Sequence, residues 1–169
     1  MSTCPNCGHE FKPLPRIKVR KGGSFFVALG HGMATDTYTI GPVDAYKGKT
    51  AKRAVALAEA SGDQYASVNT RREHDAAFVN NYIGQCLAKA DLIPVAKTYT
   101  GYWTDLSADG CTTRVNSEYH AAMAARADTV MIDRNPFAPV WYLKDDTAIG
   151  LVMPILRGDR HYDSDGNDA

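Results

Sequence analysis

Apolar residues recur at helical spacing in the middle of the chain: Phe78, Val79, Tyr82, Ile83, Cys86, Leu87 and Ala90 share one face, and Asn80, Asn81, Gln85 and Lys89 fall on the other. That periodicity predicts an amphipathic helix from about Asp75 to Asp91, which Pro94 prevents from continuing. An Ala-rich helix is expected from a Thr50 cap to about Ala60, with Ser61-Gly62 as its stop. A third helix is expected from an Asn116 or Ser117 cap to about Ala127. Elsewhere the pattern shortens to strand-like runs. Ile17–Arg20 and Ser24–Leu29 flank Gly22-Gly23 as a hairpin would, and Thr37–Ile40 ends at Gly41-Pro42. Tyr99–Leu106, Thr129–Asp133, Val140–Leu143 and Ala148–Leu156 complete the set, with Asp145-Asp146 turning between the last two.

These elements define an α+β fold class: a mixed or antiparallel sheet with about three helices behind an N-terminal zinc knuckle. The expected organisation is knuckle and linker over 1–16, an α+β domain over 17–157 with a sub-boundary near 107–112, and a flexible acidic tail over 158–169. With 169 residues, 44% apolar and 22% charged, the chain can build a real core and falls outside the disordered class. No apolar run approaches the ~20 residues of a membrane span, and no signal peptide is visible. The expectation is a cytoplasmic protein (host cytoplasm if phage-encoded) with no membrane partner, whose four cysteines are free or metal-bound.

Cys4 and Cys7 stand in Cys-Pro-Asn-Cys-Gly-His, a spacing that lets two thiolates grip one tetrahedral Zn²⁺ while the glycine frees backbone amides to face the sulfurs. No second Cys-x-x-Cys follows. The remaining ligands are sought at His9 and at Cys111 in its Gly-Cys-Thr turn, or from the knuckle of a second chain, which implies a homo-oligomer. Cys86 belongs to the apolar stripe and reads as a core cysteine. The zinc would be structural, because no water-activating glutamate accompanies the ligands.

Net charge is zero but unevenly spread. Lys12, Arg16, Lys18, Arg20 and Lys21 lie in a stretch without an acid, and Lys47, Lys49, Lys52 and Arg53 form a second basic group. Arg71 and Arg72 precede the amphipathic helix, where the helix dipole adds to anion attraction. Lys12, Arg16, Lys18, Arg20, Lys21, Arg71 and Arg72 are the candidate phosphate contacts; the alternative for each is an ordinary solvated charge. An enzyme reading draws on His31, in Gly-His-Gly, and Asp36, with His74, Asp75 and His120 as further candidates. Against it, the chain carries no nucleophile elbow, Walker-type loop or His-Glu-x-x-His. The Asp-rich end from Asp163 lacks the distal Glu of a calcium loop.

Arg114-Val-Asn-Ser-Glu-Tyr-His-Ala-Ala-Met123, Phe137-Ala-Pro-Val-Trp141 and Ile149-Gly-Leu-Val-Met-Pro-Ile155 together resemble the closing half-domain of bacterial DNA sliding clamps, as do truncated relatives in phages and prophages. The resemblance implies a strand-helix-strand-strand-strand unit over 112–156, in agreement with the pattern reading. A full clamp has several such domains and this chain has room for one, so ring closure would need an oligomer. Phe78–Leu106 with Arg71-Arg72 resembles the recognition helix and wing of response-regulator winged helix-turn-helix domains, with Thr100-Gly101-Tyr102-Trp103 as the wing, although the run of arginines expected on such a helix is absent. Small phage proteins with an N-terminal Cys-x-x-Cys ahead of such a domain are similar.

Both resemblances imply a phage-type accessory protein of DNA transactions that binds DNA or a DNA-processing protein without catalysis. One alternative is an inhibitor of a host defence or replication protein, using the aromatic surface of Tyr99, Tyr102 and Trp103 or of Trp141 and Tyr142. The other is a hydrolase centred on His31 and Asp36.

Overall fold

The computed structural model describes residues 2–3, 7, 10–19, 27–30, 32–36, 38–60, 66–67 and 85–155. Its strands are β1 (Ser2–Thr3), β2 (Glu10–Phe11), β3 (Ile17–Lys18), β4 (Val27–Gly30), β5 (Met33–Thr35), β6 (Thr39–Pro42), β7 (Tyr46–Lys47), β8 (Ala66–Ser67), β9 (Leu92–Pro94), β10 (Lys97–Thr100), β11 (Trp103–Ala108), β12 (Cys111–Asn116), β13 (Thr129–Asp133), β14 (Val140–Lys144) and β15 (Thr147–Val152). Its helices are α1 (Lys49–Ala60), α2 (residues 85–89) and α3 (Ser117–Ala124). The fold is mixed α+β with mostly antiparallel sheets.

An eight-stranded antiparallel sheet in the order β8-β4-β5-β6-β15-β14-β13-β9 forms the frame, and β10-β11-β12 form a separate antiparallel meander. The frame buries both faces, and the alternation along β14 shows why. Val140 and Tyr142 join Ile132 and Val152 in the main core, under Met123 of α3, Leu106 and Val115 of the meander, and Ala51 and Ala54 of α1. Trp141 points the other way, into a smaller cluster with Ile40 and Leu151 that Cys86 and Leu87 of α2 cover. A period of two thus places consecutive residues of one strand in two cores.

Helix α3 begins where the sequence places it. The Asn116 side chain accepts hydrogen bonds from the backbone N–H groups of Glu118 (2.9 Å) and Tyr119 (3.2 Å), satisfying two orphan donors of the first turn. The helix settles on the sheet through Met123, which fills a notch left by Gly41 and Gly150 on the neighbouring strands β6 and β15. A Cβ at Gly150 would lie 2.7 Å from the Ile40 carbonyl oxygen and 3.2 Å from the Met123 sulfur. Arg126, just beyond α3, reaches back to the Asp44 carboxylate (3.1 Å) and donates to the Asp44 and Pro15 carbonyls (both 2.9 Å). Residues 15–16 are therefore fastened to the domain.

Several expectations need correction. Ile17–Lys18 does not form a hairpin with the strand that follows; β3 pairs in parallel with β7, while β4 pairs with β5 and β8. The Gly22-Gly23 signal itself lies outside the described residues. Tyr99–Leu106 is two strands, because Gly101 and Tyr102 turn the chain and pair Thr100 with Thr104. The turn near Cys111 is made by Asp109 (φ 47°) and Gly110 (φ 79°), and Cys111 opens β12, so 107–112 is the closed end of the β11–β12 hairpin. Helix α1 starts at Lys49, one residue before the expected Thr50 cap, and the Lys52 N–H bonds to the Gly48 carbonyl. Pro94 not only stops a helix but sits in an edge strand opposite Met131, where its missing N–H is tolerated. Of the Asp75–Asp91 helix, 85–89 is helical, Ala90 and Asp91 are not, and 75–84 lie outside the described residues.

Candidate nucleic-acid interface

The parallel pair β3·β7 sorts its residues by pattern. Ile17 and Tyr46 are register partners and both are buried; Lys18 and Lys47 are the next partners and both are exposed. The Val19 N–H donates to the Lys47 carbonyl at 2.9 Å, extending the ladder. Gly48 then turns at φ +118°, so close to β3 that a Cβ would lie 2.9 Å from the Val19 carbonyl oxygen. That tight turn leads into α1, which packs against β7 and exposes Lys49, Lys52 and Arg53. The two basic groups of the sequence, separate along the chain, thus become one ledge.

Arg16 lies beside this ledge with its guanidinium engaged. Nε donates to the Asp44 carbonyl at 2.9 Å and Nη2 to the Tyr46 carbonyl at 2.7 Å. It lines, with Tyr46, Ala51 and Lys52, a groove of about 280 Å³ against α1. The acids nearby are Asp44, paired with Arg126, and Glu118, whose carboxylate accepts the Lys18 N–H at 2.9 Å. Lys12 is exposed on the linker; Arg20, Lys21, Arg71 and Arg72 lie outside the described residues.

Beyond Glu118 the surface changes from charged to aromatic. Ser117 Oγ contacts the Gly101 and Tyr102 carbonyls (both 3.2 Å) and Thr104 Oγ1 (2.9 Å), fixing the β10–β11 hairpin tip to the first turn of α3. Tyr99 and Tyr102 are 74% and 78% exposed there, and Tyr102 meets Trp103 edge-on at a centroid distance of 4.6 Å. Trp141 and Tyr142, the other aromatic candidates, are fully buried and belong to the core.

For the knuckle, β1 and β2 pair antiparallel, Ser2 with Phe11 and Thr3 with Glu10, so a short ribbon brackets the Cys4–His9 stretch. Cys7 is exposed in a turn; Cys4 and His9 lie outside the described residues. Cys111 packs half-buried against the main core, as an apolar cysteine does. Among the described residues, no group of three or more His, Cys, Asp or Glu side chains is arranged to hold a metal.

Of the hydrolase candidates, Asp36 is buried and fully engaged. Its Oδ1 accepts from the Tyr38 N–H (3.1 Å), the Thr39 N–H (2.9 Å) and the Thr39 hydroxyl (2.9 Å), and Tyr119 of α3 lies near the same carboxylate. The Tyr46 hydroxyl extends the network, 2.7 Å from Thr39 Oγ1 and 3.1 Å from the Ala34 carbonyl. Burial, with Asp36 nearby, raises both tyrosine pKa values well above the ordinary range. This arrangement ties the β5–β6 turn to Tyr46 of β7. His120 bonds through Nδ1 to the Tyr142 hydroxyl at 3.0 Å, and burial lowers its pKa. His31, His74 and Asp75 lie outside the described residues.

Among the described residues, no helix is long and apolar enough to cross a membrane. Compared with models of known protein families, with curated proteins and with solved structures, the chain matches none.

Proposed function

We propose that the protein is a non-catalytic nucleic-acid-binding accessory protein, the function implied by its resemblance to phage-type proteins of DNA transactions. The observation that carries this reading is the pairing of Lys18 with Lys47, continued by Lys49, Lys52 and Arg53 on α1. Like charges placed opposite one another on adjacent strands destabilise a sheet, and a polyanion laid across them relieves that repulsion. Phosphates bound along the ledge release counterions, so affinity falls as salt rises. The zinc knuckle belongs to the same reading: Cys4, Cys7 and His9 would hold a structural ion that fastens the N-terminal ribbon beside Lys12.

The test is anisotropy of labelled DNA at low ionic strength, comparing the native chain with Lys18→Glu/Lys47→Glu. Binding by the native chain and its loss in the charge-reversed variant are the expected results. No binding by the native chain contradicts the proposal. The exposed Tyr99 and Tyr102 favour a second reading, in which the aromatic hairpin docks on a protein, such as a host defence or replication factor.

A further inference from the structure

We infer that the preferred ligand is single-stranded nucleic acid, with bases stacking on Tyr99 and Tyr102 while the backbone runs over the lysine ledge; this rests on the nucleic-acid reading above and narrows it. The juxtaposition is set by two consecutive residues of α3. Ser117 holds the carbonyls of the hairpin tip, and Glu118 holds the Lys18 N–H. Adjacent Cα atoms are about 3.8 Å apart, so the aromatic tip and the cationic pair flank a single helical turn.

The tip has the properties of a stacking platform. All four residues of β10 are exposed, so Tyr99 is not a displaced core residue. A Cβ at Gly101 would lie 3.7 Å from the Tyr99 ring, and Trp103, half-buried, meets Tyr102 edge-on; the two tyrosines thus lie at one tip. The acid opposite Tyr99, Asp105, is neutralised by Arg114, whose Nε and Nη2 hold both its carboxylate oxygens at 2.7 and 2.8 Å. Lys97 adds an exposed cation at the far end of β10. Aromatic faces between cations are what single strands use, since an unstacked base offers its π-face and a phosphate follows within each nucleotide. In a duplex the bases are already stacked on one another, and the tyrosines have nothing to receive.

The experiment titrates labelled oligo(dT) and a labelled hairpin duplex with the native chain, Tyr99→Ala, Tyr102→Ala, the corresponding Phe variants and Lys18→Glu/Lys47→Glu. The inference expects tighter binding to oligo(dT), a roughly tenfold loss for each Ala variant, unchanged duplex binding in those variants, and retention by Phe, which keeps the ring. Equal affinity for both probes with no effect of the tyrosines overturns the single-strand inference and leaves the lysine reading standing. No binding of either probe overturns both. Loss with Ala and no recovery with Phe assigns the hydroxyls rather than the ring faces and overturns stacking. Undiminished oligo(dT) binding by the Ala variants likewise overturns it and returns the hairpin to a protein partner.

Discussion

Lys18 and Lys47 face each other as outward partners of a parallel strand pair whose inward partners, Ile17 and Tyr46, are buried. The fold gains its core contacts from one pair and carries a like-charge repulsion at the other. Replacing Lys47 with Glu turns that repulsion into an attraction. Lys47→Glu is expected to raise stability slightly, by about 0.2–1 kcal/mol, while it weakens nucleic-acid binding. Denaturant midpoints and anisotropy on the same samples check the opposed signs; a variant that loses both stability and binding speaks against the arrangement.

The Asp36 network predicts a structural role. Asp36→Ala leaves the buried Thr39 N–H and hydroxyl without their acceptor and should cost about 3 kcal/mol. Asp36→Asn keeps an acceptor and should cost less. Urea unfolding of the two variants measures the difference.

Met123 and its glycine notch predict a packing effect of similar size. Met123→Ala should cost about 2–5 kcal/mol as a core cavity. Gly150→Ala should also destabilise, and adding Met123→Ala should not rescue it, because the nearer obstacle is the Ile40 backbone carbonyl. Thermal unfolding of the single and double variants tests this.

His120 predicts a pH dependence. Burial lowers its folded-state pKa below the ordinary 6.5, so the folded chain resists the proton that the unfolded chain accepts. Stability contributed by the neutral ring is present above pH 6.5 and is lost as pH falls from there through the lowered folded value. His120→Gln should flatten that part of the stability–pH profile, measured by urea unfolding at a series of pH values.

The knuckle predicts bound zinc. Elemental analysis should find the metal on the purified chain, and Cys4→Ser should lose it and lower the melting temperature of the N-terminal ribbon, followed by hydrogen exchange at Thr3 and Glu10.

Much of the C-terminal half was legible in the sequence because its signals are local. The Asn116 cap, the Asp145-Asp146 turn and the apolar runs of β13, β14 and β15 each announce themselves within a few residues. What escaped was long-range. A parallel pair such as β3·β7 has no turn between its strands to mark it, so Gly22-Gly23 drew Ile17–Lys18 toward the wrong partner. The same gap hid the ledge: both basic groups were visible as composition, but only pairing brings Lys18 beside Lys47. Arg16 shows the converse, since a cation in a basic run can be held by carbonyls that sequence does not reveal.

The most direct test of the account is the salt dependence of oligo(dT) binding, compared between the native chain and Lys18→Glu/Lys47→Glu. The account predicts a linear fall of log affinity with log salt, with a slope shallower in the variant by about 0.7 for each lost phosphate contact. A native chain with no affinity at low salt, or a variant whose slope and affinity equal those of the native chain, would contradict it.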